Sequence, residues 1–126
     1  MLENGLEINA NESPEARMSI ALTAGTPILE GLLIKKNKWR MKQERRFFLY
    51  ADGRVTYFKD LEQKGTMNLT KDSKARKVNR YELEVTLPAL KRTYILLQGD
   101  LNKMPQSKEG FSCRLDDWVD SINNVI

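Results

Sequence analysis

A series of short segments with alternating apolar residues, separated by turn residues, most constrains what this chain can fold into. In residues 81–87, apolar side chains alternate strictly with Glu82, Glu84 and Thr86, as in a strand that packs one face on a core. Asp52-Gly53 separates two such segments and is typical of a tight β-hairpin. We therefore predict seven strands of a meandering antiparallel sheet or barrel, at 28–36, 45–51, 54–60, 64–69, 74–79, 81–87 and 93–98.

The end of the chain changes to a helical period. Its apolar residues recur at helical spacing, at Leu115, Trp118, Val119 and Ile122. Ser112 is the predicted N-cap, and Asp116-Asp117 suits the positive end of the helix dipole. One amphipathic helix is therefore expected to close the chain, after a polar loop over 99–111.

Charge divides the chain into two parts. Residues 1–30 contain one arginine and five glutamates, a formal charge of −4, whereas residues 31–126 carry +8. Residues 1–27 also lack apolar periodicity, so we expect a flexible acidic leader or linker there and one domain over 28–126. A basic domain favours polyanionic partners: nucleic acid, anionic lipid headgroups or acidic protein surfaces.

Neither a membrane span nor a secretory signal is predicted. No stretch approaches eighteen apolar residues, and no basic segment followed by an apolar one precedes the domain. The lone Cys113 has no partner for an internal disulfide, which agrees with a reducing compartment. These features predict a cytoplasmic protein.

Four groups of residues resemble the landmarks of pleckstrin homology (PH) domains. They are Gly31-Leu32-Leu33-Ile34-Lys35, Arg45-Arg46-Phe47-Phe48-Leu49, Tyr57-Phe58 and Asp117-Trp118-Val119. The resemblance covers residues 28–126 and implies a mainly β fold, a PH-like seven-stranded antiparallel barrel or sandwich capped by one C-terminal helix. Lys64-Gly65 and Arg92-Thr93-Tyr94 resemble the PH domain of 3-phosphoinositide-dependent protein kinase, and the PH domains of protein kinase B-like kinases are a second relative.

This resemblance implies a module that binds phosphoinositides or soluble inositol phosphates and recruits a signalling protein, such as a kinase, to the plasma membrane. Lys35 and Arg46 match the family's lysine at the end of strand one and arginine early in strand two, which both contact headgroup phosphates. Tyr57 matches a tyrosine that donates its hydroxyl to a phosphate, and Lys64 matches a further basic contact. Four cations between the first two strands are expected to add contacts or positive potential: Lys36, Lys38, Arg40 and Lys42.

Two residues in the same stretch qualify this expectation. Trp39 stands among lysines at the hairpin tip, where it either inserts at a lipid interface or folds back over the barrel mouth. Glu44 occupies a position, two before Arg46, where the family commonly has Lys or Arg. A carboxylate beside phosphates is repulsive, which argues against specificity for 3-phosphoinositides.

Other functional classes find less support in the sequence. The chain has no histidine, one cysteine and no catalytic motif, so we expect no enzymatic activity, cofactor or metal. The alternative hypothesis is a PH-fold scaffold that binds a protein or peptide without specific lipid recognition. Nucleic acid is not expected, because no motif for stacking single-stranded bases is recognisable.

Overall fold

Seven antiparallel strands form one sheet in the computed structural model, which describes residues 25–103 and 109–126. The strands are β1 (Leu29–Lys36), β2 (Lys42–Leu49), β3 (Arg54–Lys59), β4 (Glu62–Asn68), β5 (Lys74–Lys77), β6 (Glu82–Leu87) and β7 (Arg92–Gln98). Helix α1 (Leu115–Val125) follows, and short 3-10 turns span Pro88–Leu90 and Leu101–Lys103. The predicted fold class is confirmed: the protein is mainly β, with one C-terminal helix, consistent with a PH-like sandwich.

The sheet order is β4-β3-β2-β1-β7-β6-β5. Most predicted strands match to within two residues, but β2 begins at Lys42, three residues earlier than the sequence indicated. Backbone pairing of β1 and β2 continues to Lys36 and Lys42 despite their like charges. The predicted leader 1–27 lies outside the described residues except for 25–27, and the predicted loop 99–111 is described only in part.

Alternation along β1 separates the two faces of the sheet. Leu29, Gly31, Leu33 and Lys35 are buried on the inner face, and the residues between them are partly exposed on the outer face. The inner face carries the main core, which includes Phe47 of β2 and Trp118 of α1. The outer face carries a second buried cluster of Phe48, Tyr50 and Phe58.

Helix α1 packs against the core through Trp118, which is fully buried. Its indole Nε1 donates a hydrogen bond of 2.7 Å to the Ser112 carbonyl. That carbonyl approaches Gly31 so closely that a Cβ on Gly31 would overlap its oxygen and lie 2.7 Å from its carbon. The helix begins at Leu115, so Arg114 is its N-cap and the prediction of Ser112 is wrong; the Ser112 hydroxyl instead accepts a hydrogen bond of 3.0 Å from the Arg114 N–H and donates one of 2.6 Å to Asp117.

Antiparallel alternation places three turns at the end of the sheet where β1 ends, which we term the upper end. These are the β1–β2 turn (37–41), the β3–β4 turn (60–61) and the β6–β7 turn (88–91). The β2–β3 and β5–β6 turns lie at the opposite, lower end. The upper end therefore gathers side chains from every strand except β5 at or next to its turns.

Candidate anion-binding site

Lys35 is a buried cation at the end of β1. It lies on the inner face, only 8% of it is exposed, and its Nζ lies 5.5 Å and 5.9 Å from the ring centroids of Tyr57 and Tyr94. No ion pair involves Lys35 within residues 25–103 and 109–126. Burial lowers the pKa of Lys35, and the positive charges of Arg92 and Arg45 lower that pKa further. The site thus holds a desolvated positive charge between two aromatic rings.

Two arginines join Lys35 on the inner face. Arg45 of β2 is paired with Leu33 of β1, so the two side chains share the face that Lys35 occupies. Arg92 stands two residues before Tyr94 on β7, and its guanidinium lies 4.3 Å from the Tyr94 ring centroid. We refer to these five residues, Lys35, Arg45, Tyr57, Arg92 and Tyr94, as the Lys35 cluster.

Tyr57 forms one wall of the Lys35 cluster. Its ring stacks on Phe47 at a centroid distance of 5.1 Å, and the side chain is buried. Burial, followed by the neighbouring Tyr94, raises the pKa of Tyr57, so the hydroxyl keeps its proton at neutral pH and remains a hydrogen-bond donor. Gly65 lies directly opposite on β4, where a Cβ would approach the Tyr57 Cζ to 2.5 Å. The absence of a side chain at Gly65 is what lets Tyr57 take this position.

Arg46 does not join Lys35, which corrects the expectation that the two form one clamp. It is paired with Leu32 on the outer face, because neighbouring residues of a strand point to opposite faces. There the Arg46 Nε donates a hydrogen bond of 2.7 Å to Glu30, and its guanidinium also forms a salt bridge with the same carboxylate. Arg45, one residue earlier, takes the place beside Lys35.

Two of the other predicted contacts are engaged with acidic partners. Lys36 points to the outer face and forms a salt bridge of 3.0 Å with Glu82. Lys64 is the residue of β4 that has no partner in the β3–β4 ladder, and it forms a salt bridge of 3.1 Å with Glu62. Within the described part of the chain, neither side chain forms a hydrogen bond or a ring contact with Lys35.

The predicted loop residues are exposed at the upper end. Lys38, Arg40 and Lys42 surround Trp39, which is 72% exposed and has the Lys38 Nζ 5.1 Å from its ring centroid. Trp39 therefore projects from the tip, and the alternative that it folds back over the barrel mouth is not what the structure shows.

Glu44 directs its carboxylate to the outer face, away from Lys35, while its backbone carbonyl accepts a hydrogen bond of 2.8 Å from the Arg45 Nη1. It is paired with Ile34 on the outer face of the sheet, and its two carboxylate oxygens accept hydrogen bonds from Lys103 at 3.2 Å and 3.3 Å. The residue two positions before Arg45 on the inner face is Gln43, which is neutral. The repulsion between the Glu44 carboxylate and bound phosphates, which the sequence led us to expect, therefore does not apply to this cluster.

Arg45, Arg92 and Tyr94 were not among the site residues predicted from sequence. A signal for Arg45 was present: Phe47 is a core residue, and a side chain two positions away along a strand shares its face. Arg92 and Tyr94 also alternate onto one face, but the sequence does not say that β7 pairs with β1. That pairing, which aligns Lys35 with Leu96, brings β7 beside Lys35.

Comparisons of the sequence with models of known families and with curated proteins found no match. No helix among residues 25–103 and 109–126 is long and apolar enough to cross a membrane. The same part of the chain contains no group of three or more His, Cys, Asp or Glu side chains placed to hold a metal ion.

Proposed function

We propose that the Lys35 cluster binds the phosphorylated headgroup of a phosphoinositide, and that the domain recruits a larger signalling protein, such as a kinase, to the cytosolic face of the plasma membrane. The proposal rests on the environment of Lys35. A lysine that is 8% exposed, flanked by two arginines and without an acidic partner in the described residues, retains an unmet preference for an anion.

Several phosphates on one ring suit the set of donors in the cluster. Arg45 and Arg92 offer guanidinium forks that bind phosphate oxygens in pairs, while Lys35 acts as a point charge between them. The hydroxyl groups of Tyr57 and Tyr94 add further hydrogen-bonding groups. A single carboxylate would satisfy only part of this donor set, so a compact ligand with several negative charges fits it best.

Charge around the site favours a membrane-bound form of such a ligand. Lys38, Arg40, Lys42 and Lys91 are exposed at the upper end and form no ion pair within the described residues. Each basic residue near an anionic bilayer contributes on the order of 1 kcal/mol to binding. The same end of the domain would therefore meet both the headgroup and the surrounding lipid.

A calorimetric titration with a soluble inositol tetrakisphosphate tests the proposal. Wild type and Arg80→Ala are expected to bind equally, because Arg80 is an exposed arginine of the lower end. Arg45→Ala and Arg92→Ala are expected to bind at least tenfold more weakly, since a charge-assisted hydrogen bond contributes about 1.5–3 kcal/mol. Amide chemical shifts that move at the upper end would locate the ligand.

The protein-scaffold alternative makes a different prediction in the same assay. If the inositol phosphate does not bind, or binds Arg45→Ala and wild type with the same affinity, the Lys35 cluster is not a headgroup site. A peptide or protein ligand whose affinity survives Arg45→Ala would then identify the domain as an interaction scaffold.

A further inference from the structure

The upper half of β2 has a neighbouring strand on one side only. Residues 42–45 pair with β1, whereas the ladder with β3 begins at Arg46. Backbone groups along a strand alternate between its two neighbours, and the Tyr50 N–H donates to the first residue of β3. Every second residue back along β2 is therefore directed toward β3. In Lys42 and Glu44 these backbone groups find no strand among the described residues, and we refer to them as the free edge of β2.

A β-bulge explains why β3 does not cover this free edge. The β3–β4 register shifts between Tyr57 and Phe58, at the level where the β2–β3 ladder stops, and Lys64 is left without a partner. A bulge bends the strand that carries it. Two residues after Phe58, Asp60 turns the chain with a φ of 54°. The chain thus turns from β3 into β4 before it reaches the upper half of β2.

A cavity of about 570 Å³ occupies the gap between β2 and the β3–β4 turn. Its apolar lining consists of Leu32 and the buried Phe58, and its polar lining consists of residues 42–46, Lys59 and Asp60. The volume lies within the range of ligand sites in proteins, and a few polar groups around an apolar surface are typical of such sites.

Positive charge predominates around this cavity. Lys42 and Lys59 form no ion pair within residues 25–103 and 109–126. The carboxylate of Glu44 is neutralised by a lysine, which leaves Asp60 as the opposing charge of the lining. Arg45 adds a third cation beside the free edge, because its Nη1 donates to the Glu44 carbonyl. A ligand that fits the cavity therefore carries negative charge.

The free edge favours a peptide over a free phosphate or a lipid headgroup. Only a peptide offers backbone donors and acceptors at the spacing of a neighbouring strand. The Glu44 carbonyl shows that the edge accepts a hydrogen bond, at present from the side chain of Arg45. A paired peptide would take over this carbonyl and release the Arg45 guanidinium for a carboxylate of the peptide.

We propose that the cavity binds an extended acidic segment of a partner protein, which pairs antiparallel with the free edge of β2. Opposite residues of antiparallel strands share a face, so the order of residues in β2 fixes the order in the segment. From its N-terminus, the segment carries an acidic residue opposite Arg45 and an apolar residue opposite Glu44, on the outer face with Phe58. Any residue fits opposite Gln43, and a second acidic residue meets Lys42.

Two synthetic peptides test this order of residues. They are acetyl-Thr-Glu-Val-Thr-Glu-Thr-amide and its charge-reversed counterpart acetyl-Thr-Lys-Val-Thr-Lys-Thr-amide. Wild type is expected to bind the glutamate peptide at least tenfold more tightly than the lysine peptide. On binding, the amide signals of Lys42 and Glu44 should shift, and their hydrogen exchange should slow.

A proline substitution tests the backbone pairing. Glu44→Pro removes an N–H of the free edge that the β1 ladder does not use, and it is expected to weaken binding of the glutamate peptide at least tenfold. Thr66→Pro is the matched control, because Thr66 lies on β4 at the edge of the sheet. Its N–H points away from β3, since the Leu69 N–H, three residues on, points toward it.

A charge reversal keeps the test valid if Glu44→Pro does not fold. Lys42→Glu changes an exposed side chain and is expected to weaken binding of the glutamate peptide at least tenfold. The inference is overturned if the glutamate peptide does not bind, if the lysine peptide binds equally well, or if the shifted amides lie away from residues 42–45. It is also overturned if the folded variants among Glu44→Pro and Lys42→Glu bind the glutamate peptide as wild type does.

Titration of wild type with inositol tetrakisphosphate separates this inference from the proposed function. Binding of the glutamate peptide without binding of the inositol phosphate retains the peptide site and removes the headgroup site. Binding of the inositol phosphate without binding of the glutamate peptide does the reverse.

Discussion

Arg45 and Arg46 are neighbours in the sequence but lie on opposite faces of the sheet, Arg45 on the inner face that holds Lys35 and Arg46 on the outer face, where it pairs with Glu30. Their substitutions are therefore expected to affect different properties of the domain. Arg45→Ala is expected to weaken inositol-phosphate binding at least tenfold with little loss of stability. Arg46→Ala leaves Glu30, whose side chain is 13% exposed, without its partner and is expected to cost about 1–3 kcal/mol of unfolding free energy while binding is retained. Urea denaturation and calorimetry on both variants distinguish the two roles. Weaker binding by Arg46→Ala together with lower stability of Arg45→Ala would refute the roles assigned to the two arginines.

Lys35 is expected to make both inositol-phosphate binding and stability depend on pH. Its pKa is lowered from 10.5 by burial and by the nearby arginines, so above about pH 8, where phosphate monoesters are fully ionised, inositol-phosphate affinity should fall as pH rises. Between the folded pKa and 10.5 the unfolded chain binds more protons, and the free energy of unfolding should therefore increase with pH. Lys35→Met removes both trends. If its affinity and stability follow pH as wild type does, Lys35 is not the titrating group.

Replacing Lys35 by methionine should also stabilise the domain at neutral pH. Methionine has a similar shape but no charge to desolvate, and a gain on the order of 1 kcal/mol is typical when a functional site gives up an unfavourable group. Inositol-phosphate affinity should fall at the same time. A variant that loses stability would mean that the charge of Lys35 is already compensated in the unliganded protein.

Gly65→Ala tests how the Lys35 cluster is held open. The new Cβ would overlap the Tyr57 ring, and the displacement should lower the unfolding free energy by about 1–3 kcal/mol and weaken inositol-phosphate binding. In a Tyr57→Leu background the same substitution should cost much less, because the overlapping ring atoms are gone. Equal costs in the two backgrounds would place the strain elsewhere.

Asn123 ties the helix to the edge of the sheet. Its side chain accepts a hydrogen bond of 3.0 Å from the Ala75 N–H and donates one of 2.9 Å to the Ala75 carbonyl, as a neighbouring strand would. Asn123→Ala is expected to reduce the unfolding free energy by about 1–2 kcal/mol without changing inositol-phosphate affinity. Asn124→Ala, at the exposed neighbouring position, is the control and should have a stability close to that of wild type.

The local patterns of the sequence were sufficient to predict the order and number of elements. Alternation in residues 81–87, the Asp52-Gly53 turn and the helical spacing of Leu115, Trp118 and Ile122 each report on interactions within a few residues. These interactions are the same in any fold that contains the segment. Lys35 and Tyr57 were predicted as site residues from the resemblance to PH domains and not from alternation, and the structure places both on the inner face.

Only the tertiary structure decided which residues make up the candidate site. The sequence contains two adjacent arginines. Burial of Phe47 sets the strand register, which places Arg45 on the inner face and Arg46 on the outer face, where Arg46 binds Glu30. Arg92 and Tyr94 entered the Lys35 cluster because β7 pairs with β1 across more than fifty residues of chain. Likewise, the short stretch around Lys35 determined by itself that one region would be strongly basic. Which charges of that stretch are paired, Lys36 with Glu82, Arg46 with Glu30 and Glu44 with Lys103, depends on contacts between distant segments that no local pattern encodes.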